Sequence, residues 1–493
     1  MILYMNFASS IFVFIFMPLF LTIYLILNML LPHNHFIKKR FLDIIVIFVG
    51  FVFYMWACFD NIFFLLELII ITYLLAIVIN RTKRSSVKEI IKEGICTLSK
   101  LSFALVVLIC SIITSVIILY RFKYEGKVNF PMLNMKNMSM PLGISFLIFS
   151  VISYLVDVYK GAETGKLIDV ALYISFFPKV ISGPIVLWDD FYDLLGKRKI
   201  TVARVEQGIL KIIYGLSKKI IFADYFGTVV SKIQTNSIGG GIDKPTGWLI
   251  CILYMQQIYF DFAGYSDVAI GLSKIIGLDF KENFYFPYVS TSITEFWKRW
   301  HISLGLWFRK YIYIPMGGNR KGKKRTVLNS FIVMVISGIW HGAGFGYLLW
   351  GIVHGLCMVG EKLSADKTWY KKIPRIIKWF FTMFVVMLGW QIFRLGSLSA
   401  TLDFFKVLVG INSNKEITYT YQYYLSTKVV VMLAISIMGS TVLGRVLSSP
   451  LYQKYQDATV WVIMKYVLSL LLFAVVLVCV VNSTYSPFIY FQY

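Results

Sequence analysis

Three histidines lie in apolar surroundings where an imidazole could move a proton. His301 lies in Trp-His-Ile-Ser-Leu-Gly, His341 in Ile-Trp-His-Gly-Ala-Gly and His354 in Gly-Ile-Val-His-Gly. An imidazole titrates near neutral pH and can take a proton from a hydroxyl group during attack on an acyl group, an effect worth roughly 10² to 10⁴ in rate. The histidines show no metal-ligand spacing, and the chain has no Gly-x-Ser-x-Gly or P-loop motif. The pattern favours general-base chemistry and predicts no metal.

His341 is the strongest of the three candidates. It ends an uncharged run from 327 to 340 and is followed by Gly342, Ala343 and Gly344. Small residues let a substrate or another chain approach the imidazole closely. Trp340, directly before it, is expected to line the same site. His354 has no basic segment nearby, and a structural role is favoured for it.

His301 is the second candidate, and its setting depends on local structure. If residues 293–311 form one helix, Trp297, Leu304 and Phe308 share a face with His301. The imidazole would then face apolar and aromatic surface. An interfacial helix with a hydrogen-bonded but inactive histidine explains the same pattern, so both interpretations stay open.

A basic segment separates His301 from His341. Its positive residues are Arg309, Lys310, Arg320, Lys321, Lys323, Lys324 and Arg325. They could form a cytoplasmic face that receives an anionic donor. Short loops of this charge are also ordinary on the inner side of a membrane, where they fix topology and contact lipid headgroups.

The composition predicts a polytopic helical membrane protein. Of the 493 residues, 58% are hydrophobic and 15% charged, and the mean hydropathy is +0.72. The first 32 residues carry no charged side chain, so they are interpreted as a retained first span rather than a cleaved signal peptide. The net charge of +24 falls in short loops between apolar runs, which favours membrane lipids over nucleic acid as the partner.

Apolar periodicity predicts about twelve crossings and one re-entrant segment. The segment 167–188 is interrupted by Pro178, Gly183 and Pro184, which suits re-entry into the membrane better than a complete crossing. Loop charges place both termini outside the cell membrane. The expected spans are 8–31, 41–57, 62–80, 97–120, 141–157, 207–232, 247–275, 326–344, 346–362, 376–393, 428–447 and 461–482.

Two carboxylates stand out inside the expected span 247–275. Asp261 and Asp267 occur in Phe-Asp-Phe-Ala-Gly-Tyr-Ser-Asp. A charged carboxylate at membrane depth costs at least a few kcal/mol, on the order of 2.5–3.5, unless it is paired or faces water. Both are therefore expected to face the protein interior and line the site.

Several motifs in the chain carry a resemblance to a known family. They are Gln-Ile-Tyr-Phe-Asp-Phe at 257–262, Gly-Tyr-Ser-Asp at 264–267, Ser-Ile-Thr-Glu-Phe-Trp at 292–297, Trp-His-Ile-Ser-Leu at 300–304 and Trp-His-Gly at 340–342. Together these motifs resemble the membrane-bound O-acyltransferase family. The segment Ile-Pro-Met-Gly-Gly-Asn-Arg at 314–320 is similar to the bacterial branch that O-acetylates alginate, peptidoglycan and other exported glycans, as are three upstream motifs: 141–146, 176–178 and 182–185. The resemblance is dense over about 140–360 and looser in the flanks.

The resemblance implies a fold, a site and a reaction. The fold is a helical bundle with re-entrant helices and a funnel that perforates the bilayer, in a single domain over 1–493 with its catalytic core at about 140–360. His341 would be the catalytic histidine and His301 its second polar residue. A thioester donor, acetyl-coenzyme A or an acyl carrier protein, would deliver an acetyl group from the cytoplasm, with no bound cofactor. The group would be passed to an extracytoplasmic glycan through an esterase-like partner with Ser, His and Asp.

Other functions stay open at this stage. A D-alanyl transfer subunit for teichoic acid is the nearest alternative, and lipid-linked or protein acceptors are also compatible. A transporter or flippase would explain Asp261, Asp267 and the broken helix. A membrane scaffold for a partner enzyme would explain the interfacial aromatic residues.

The tail 483–493 gives a further expectation. Its Phe-x-x-Phe-x-Tyr ending, with Phe488, Phe491 and Tyr493, resembles a C-terminal motif of such glycan acylation systems. In that comparison Tyr493 carries the acyl group to the external enzyme, while Phe488 and Phe491 seat the tail in the funnel. A phenol is a better leaving group than a sugar hydroxyl, which suits a relay. An aromatic anchor for the last helix explains the same residues.

Overall fold

A computed structural model describes most of the chain. The described residues are 7–31, 35–93, 98–125, 128–130, 135–138, 140–181, 183–238, 240–411, 416–447, 449–455 and 457–482. Among these residues, the regular secondary structure is helical apart from one antiparallel pair of short strands, β1 (Val128–Phe130) and β2 (Met135–Met138). The chain divides into two compact units, Met1–Ile212 with Val268–Lys281, and Ile213–Asp267 with Glu282–Tyr493. The all-α polytopic fold predicted from composition is confirmed.

The first unit contains the N-terminal helices and the broken segment. Its helices are α1 (Met17–Leu30), α2 (His35–Ala57), α3 (Ile62–Glu93), α4 (Leu98–Tyr120), α5 (Ile144–Lys160), α6 (Leu167–Ser175), α7 (Phe177–Val180) and α8 (Trp188–Gly196). The helix α9 (Val202–Leu216) begins in this unit. Short π-helical stretches at Phe12–Phe16 and Arg121–Glu125 adjoin α1 and α4.

The second unit contains both leading histidine candidates. A π-helical stretch, Ser217–Ala223, continues α9 into α10 (Asp224–Asn236), and α11 (Lys244–Ile275) follows, of which residues 268–275 belong to the first unit. The next elements are α12 (Ile293–Arg299), α13 (Ile302–Phe308), a π-helical stretch at Arg309–Tyr313, α14 (Gly322–His341) and α15 (Phe345–Ser364). The last are α16 (Thr368–Lys372), α17 (Arg375–Leu395), α18 (Leu398–Val409), α19 (Tyr421–Tyr424), α20 (Thr427–Ser440), α21 (Val442–Leu447), α22 (Pro450–Tyr455) and α23 (Thr459–Asn482).

Seven described helices are long and apolar enough to cross a membrane. They are Phe12–Leu30, Ile37–Ala57, Phe59–Lys83, Phe103–Glu125, Arg375–Leu395, Thr427–Gly444 and Thr459–Asn482. These match the first four and the last three of the expected spans. The five other expected spans also form helices, but these helices are not both long enough and apolar enough to count among the seven. The chain is therefore multi-pass, and the count of twelve crossings stays a prediction.

The segment 167–188 is broken where its prolines predicted. Helix α6 ends at Ser175, and the next residue, Phe176, has an extended backbone (φ −61°, ψ 95°). Pro178 lies in the first turn of α7, where its missing amide proton is tolerated. The α7 residue Lys179 is buried and donates a hydrogen bond from Nζ to Ser150 Oγ at 3.0 Å. The interruption is confirmed, and re-entry into the membrane stays a prediction.

Helices α14 and α15 pack with their backbones in close contact. A Cβ added at Gly351 would lie 2.6 Å from the carbonyl oxygen of Met334 and 3.2 Å from the Cα of Gly338. A Cβ at Gly338 would in turn overlap the carbonyl oxygen of Tyr347. Only residues without a side chain permit this approach, which is the way small residues bring membrane helices together. The packing fixes the end of α14, where His341 lies.

The close packing of α14 and α15 predicts how much stability is lost when one methyl group is added at Gly351. Gly351→Ala should destabilise the protein on the order of 1–3 kcal/mol, because the added Cβ meets backbone that cannot rotate away. Gly360→Ala, on the same helix, is the matched control, since no atom lies within 4 Å of its added Cβ. Thermal unfolding of the detergent-purified variants measures both. Equal melting temperatures for the two variants would contradict the close packing.

Candidate active site

His341 is the last residue of α14 and is almost completely buried. The residue is 5% exposed, and its ring lies against aromatic side chains. The ring centroids of Trp350 and Phe393 are 5.1 and 5.0 Å away in edge-to-face geometry, and that of Trp340 is 4.5 Å away. The structure thus places His341 at the end of the helix that contains the uncharged run 327–340.

The glycines after His341 make room for the protein's own chain. A Cβ at Gly342 would lie 2.6 Å from the ring of Tyr347, and one at Gly344 would overlap the carbonyl oxygen of Gly396. The sequence suggested that these glycines admit a substrate or another chain. In the structure the neighbours are Tyr347 and the end of α17, so the glycines serve the turn between α14 and α15.

His301 does not lie on a continuous helix, which corrects the expectation for 293–311. Helix α12 ends at Arg299, Trp300 is extended, and His301 has a left-handed backbone with φ 46° and ψ 53°. The cause is pairing with a neighbouring segment: Tyr285 N donates to Arg299 O and Ile302 N donates to Asn283 O, both at 2.9 Å. The expected common face with Trp297, Leu304 and Phe308 is therefore wrong.

The apolar setting expected for His301 is nevertheless present. The side chain is 3% exposed, and the Phe262 ring lies 4.6 Å away in edge-to-face geometry. A non-glycine residue with positive φ is uncommon and costs free energy, on the order of 1–3 kcal/mol, so the surroundings must hold it in place. Such conformations cluster at functional sites, which is a second indication for His301 beyond its side-chain type.

Asn283 holds His301 in this conformation, and sequence reasoning missed it. Its Oδ1 accepts from Ser303 N at 3.1 Å and from Ser303 Oγ at 2.9 Å, and lies 3.3 Å from His301 Nδ1. Its Nδ2 donates to Ser266 Oγ at 3.0 Å. An asparagine in a loop ordinarily indicates a turn, and nothing in the spacing of Asn283 from His301 distinguishes it.

The helix that precedes His301 is fixed at its N-terminus by two caps. Ser292 Oγ accepts from Glu295 N at 2.9 Å, as an N-cap serine should. The carboxylate of Glu361, from α15, accepts hydrogen bonds from the amides of Ile293 and Thr294. Negative charge at a helix N-terminus is stabilising. Helix α15 thus positions α12 as well as α14.

Aromatic contacts link the neighbourhoods of the two histidines. Trp300, next to His301 in the chain, lies 4.6 Å from Trp390, measured between ring centroids. Trp390 lies 6.0 Å from Phe393, whose ring contacts His341. Inside such a buried cluster the low dielectric constant strengthens each hydrogen bond and raises the free-energy cost of each polar atom left without one. The two candidates therefore belong to one continuous aromatic core.

His354 is packed inside the same core. The rings of Trp297 and Trp350 lie 5.2 and 5.3 Å away, and a Cβ at Gly389 would overlap its Nε2. The imidazole is fully buried, and its space is closed by the backbone of α17. The close approach of the α17 backbone to the imidazole supports the structural role that the sequence favoured for His354.

Asp261 and Asp267 are both paired with lysines of the π-helical stretch Ser217–Ala223. Lys219 Nζ lies 2.7 Å from Asp261 Oδ1 and 2.6 Å from Asp224 Oδ1, and its side chain is 5% exposed. Lys218 pairs with Asp267 and is 30% exposed. Pairing explains how α11 can carry two carboxylates, as buried charge requires. The expectation that they face the protein interior agrees with their burial, and their lining of the site stays a prediction.

The basic segment lies at the surface. Arg309, Arg320 and Lys321 are exposed and Lys310 is half-buried. The turn before α14 is held by Asn329, whose Nδ2 donates to Gly318 O at 3.0 Å. Exposed cations beside a fixed turn can bind an anion, either an acyl donor or a lipid headgroup.

Two further expectations concern metals and the tail. Among the described residues, no group of three or more His, Cys, Asp or Glu side chains could hold a metal ion. Phe488, Phe491 and Tyr493 lie outside the described residues.

The chain matches known proteins over almost its whole length. Residues 160–399 match the model of the membrane-bound O-acyltransferase family. The chain is 31% identical to the probable alginate O-acetylase AlgI of Pseudomonas putida over 99% of this chain and 100% of the relative. It is also 31% identical to the peptidoglycan O-acetyltransferase of Helicobacter pylori, over 62% of this chain and 65% of the relative. The teichoic acid D-alanyltransferase of Streptococcus thermophilus is 31% identical over 48% and 59%.

These matches and the helical fold define a multi-pass membrane enzyme that transfers acyl groups to oxygen. The chain belongs to the membrane-bound O-acyltransferase family. The resemblance drawn from the histidine motifs is confirmed.

The two ion pairs of α11 predict unequal effects from the same substitution. Asp261→Asn should destabilise the protein by about 3 kcal/mol, because it takes one of two carboxylates from a buried lysine. Asp267→Asn should cost at most about 1 kcal/mol, since Lys218 can reach water. Thermal unfolding of the two variants in one detergent is the measurement. An equal or reversed order would show that burial of the lysine does not govern the pair.

Proposed function

We propose that this enzyme moves an acetyl group from a cytoplasmic thioester donor across the membrane for O-acylation of an extracytoplasmic glycan. The observation that carries the proposal is His341, a buried imidazole at the end of α14 inside an aromatic core of a confirmed O-acyltransferase. The names of the relatives, an alginate O-acetylase and a peptidoglycan O-acetyltransferase, support an acetyl group and an exported glycan.

In the proposed reaction His341 is the general base. It takes the proton of an acceptor hydroxyl while the oxygen attacks the thioester carbonyl. The carbon–sulfur bond then breaks, and the imidazolium returns the proton to the leaving thiolate. The aromatic rings around His341 exclude water, which would otherwise hydrolyse the thioester. His301 is the second polar group of the site.

The proposal includes a direction and partners. The basic segment faces the cytoplasm and receives coenzyme A or an acyl carrier protein, and both termini lie outside the cell. An extracytoplasmic esterase-like enzyme with Ser, His and Asp completes the transfer to the glycan. The relay through Tyr493 stays a prediction of the sequence.

The relatives and the ion pairs of α11 bear on two rival functions. D-alanyl transfer is kept as the alternative, because a teichoic acid D-alanyltransferase is among the relatives. The transporter hypothesis drew on Asp261, Asp267 and the broken helix. Since both carboxylates are paired with lysines, they have a structural explanation, and this support for transport is removed.

Removal of the proposed base gives a direct prediction. His341→Ala should lower the rate of acyl transfer at least about 10²-fold while expression and membrane insertion stay normal. The measurement is transfer of labelled acetyl from the thioester donor in proteoliposomes. His354→Ala is the matched control, another buried histidine of the same core, and should lose stability more than rate per folded molecule. Activity of His341→Ala within about threefold of the wild type would disprove its role.

Charge reversal tests the basic segment separately. The pair Arg320→Glu and Lys321→Glu should raise the donor KM several-fold, and the effect should shrink with added salt, because exposed charges are screened. The exposed pair Lys197→Glu and Lys199→Glu, in the other unit, is the control with the same change of charge. An unchanged KM in the first variant would leave topology as the only role of the segment.

A further inference from the structure

The hydrogen bonds around Asn283 determine which of its side-chain atoms is the oxygen. The backbone N–H of Ser303 can only donate, so the atom 3.1 Å from it must be the carbonyl oxygen Oδ1. The amide nitrogen Nδ2 is then the atom that donates to Ser266 Oγ at 3.0 Å. The orientation of the amide is therefore fixed from both ends.

The orientation of Asn283 in turn determines the protonation of His301. Oδ1 has no proton, and it lies 3.3 Å from Nδ1 of His301. Two lone pairs at that distance would repel each other, so Nδ1 carries the hydrogen and donates it to Oδ1. Ser303 Oγ also donates to Oδ1, at 2.9 Å, and can accept from Nδ1, at 3.4 Å. A neutral imidazole protonated on Nδ1 has a lone pair on Nε2.

That lone pair has no partner within the described protein. His301 Nε2 is buried and makes no hydrogen bond to any described residue. A buried polar atom without a partner costs about 1–3 kcal/mol. His301 carries this cost together with a strained backbone, so its conformation needs an explanation. A substrate hydroxyl donating to Nε2 supplies the missing partner.

We propose that Asn283 is a positioning residue that holds His301 as the Nδ1–H tautomer, so that Nε2 accepts a hydrogen bond from the hydroxyl group of the acyl acceptor. The part of this inference that concerns the acceptor rests on the proposed function, whereas the tautomer does not. In this state Nε2 cannot donate to a developing oxyanion. His301 therefore orients the attacking hydroxyl, and stabilisation of the oxyanion falls to other groups.

The same contacts explain the left-handed backbone of His301. Asn283 binds the segment 301–303 through its main-chain oxygen, which accepts from Ile302 N at 2.9 Å, and through its side chain, which binds Ser303. Both residues are almost completely buried, Asn283 at 0% and His301 at 3% exposure. The histidine is thus fixed in position and in protonation by one residue.

Solid-state NMR of the full chain in liposomes, labelled with ¹⁵N-histidine, tests the tautomer directly. The chain has five histidines, and the spectrum of His301→Gln identifies the signals of His301. The wild type should show a protonated Nδ1 and an unprotonated Nε2 for this residue. A protonated Nε2 in the wild type would overturn the inference whatever the variants do.

Two variants of Asn283 complete the test. Asn283→Ala removes the acceptor, so His301 should shift toward the Nε2–H tautomer, and kcat should fall roughly tenfold or more with the donor KM unchanged. Asn283→Asp keeps an oxygen at the same place and should keep Nδ1 protonated, which provides the test if the alanine variant does not fold. Ser266→Ala, which removes only the partner of Nδ2, should leave the tautomer unchanged. An unshifted His301 spectrum in folded Asn283→Ala contradicts the inference.

The NMR spectrum tests the role of Asn283, whereas the enzyme assay tests the proposed function, so either one can be contradicted without the other. If the wild type shows the Nδ1–H tautomer but transfers no acyl group, the proposed function is wrong and the role of Asn283 in fixing the imidazole stands. If transfer is active and the tautomer is the other one, the assignment of Asn283 is wrong and the proposed function stands.

Discussion

The close backbone contact between α14 and α15 is the interaction on which the candidate site depends. Gly338 and Gly351 let the two helices approach until backbone meets backbone. Helix α14 then ends at His341, while α15 carries Trp350 beneath the imidazole and Glu361 at the N-terminus of α12. This helix pair fixes both His341 and α12, the helix that leads to His301. A small displacement of α14 against α15 would therefore move both imidazoles.

Burial of polar atoms explains most of the remaining architecture of the second unit. An uncompensated charge inside a membrane protein is costly, so Asp261 is held by Lys219, and the lysine is shared with Asp224. The same requirement gives Asn283 several hydrogen bonds. The Nε2 of His301, which makes no hydrogen bond to any described residue, is the atom that we propose binds a ligand.

Much of the fold followed from the sequence because its signals are local. Apolar runs of bilayer length located the seven long helices, and prolines located the break before α7. Small residues and the end of an uncharged run made His341 the leading candidate for the base, a role that stays a prediction. The break at Trp300 and His301 could not be predicted, because it arises from backbone hydrogen bonds to residues 283–285. Helical periodicity depends only on neighbouring positions, so it does not indicate a partner segment elsewhere in the chain. Asn283 was missed for the same reason, since its role comes from contacts across 18 and 20 positions of the chain.

The proposed reaction breaks a thioester on one side of a membrane and forms an ester from its acyl group. It can be measured with wild-type protein in sealed liposomes and a donor labelled separately in its acyl group and its thiol. Free thiol should accumulate outside in proportion to acyl label bound to acceptor hydroxyls inside. Passage of both labels together with the thioester intact, or thiol release with no acylated acceptor, would contradict it.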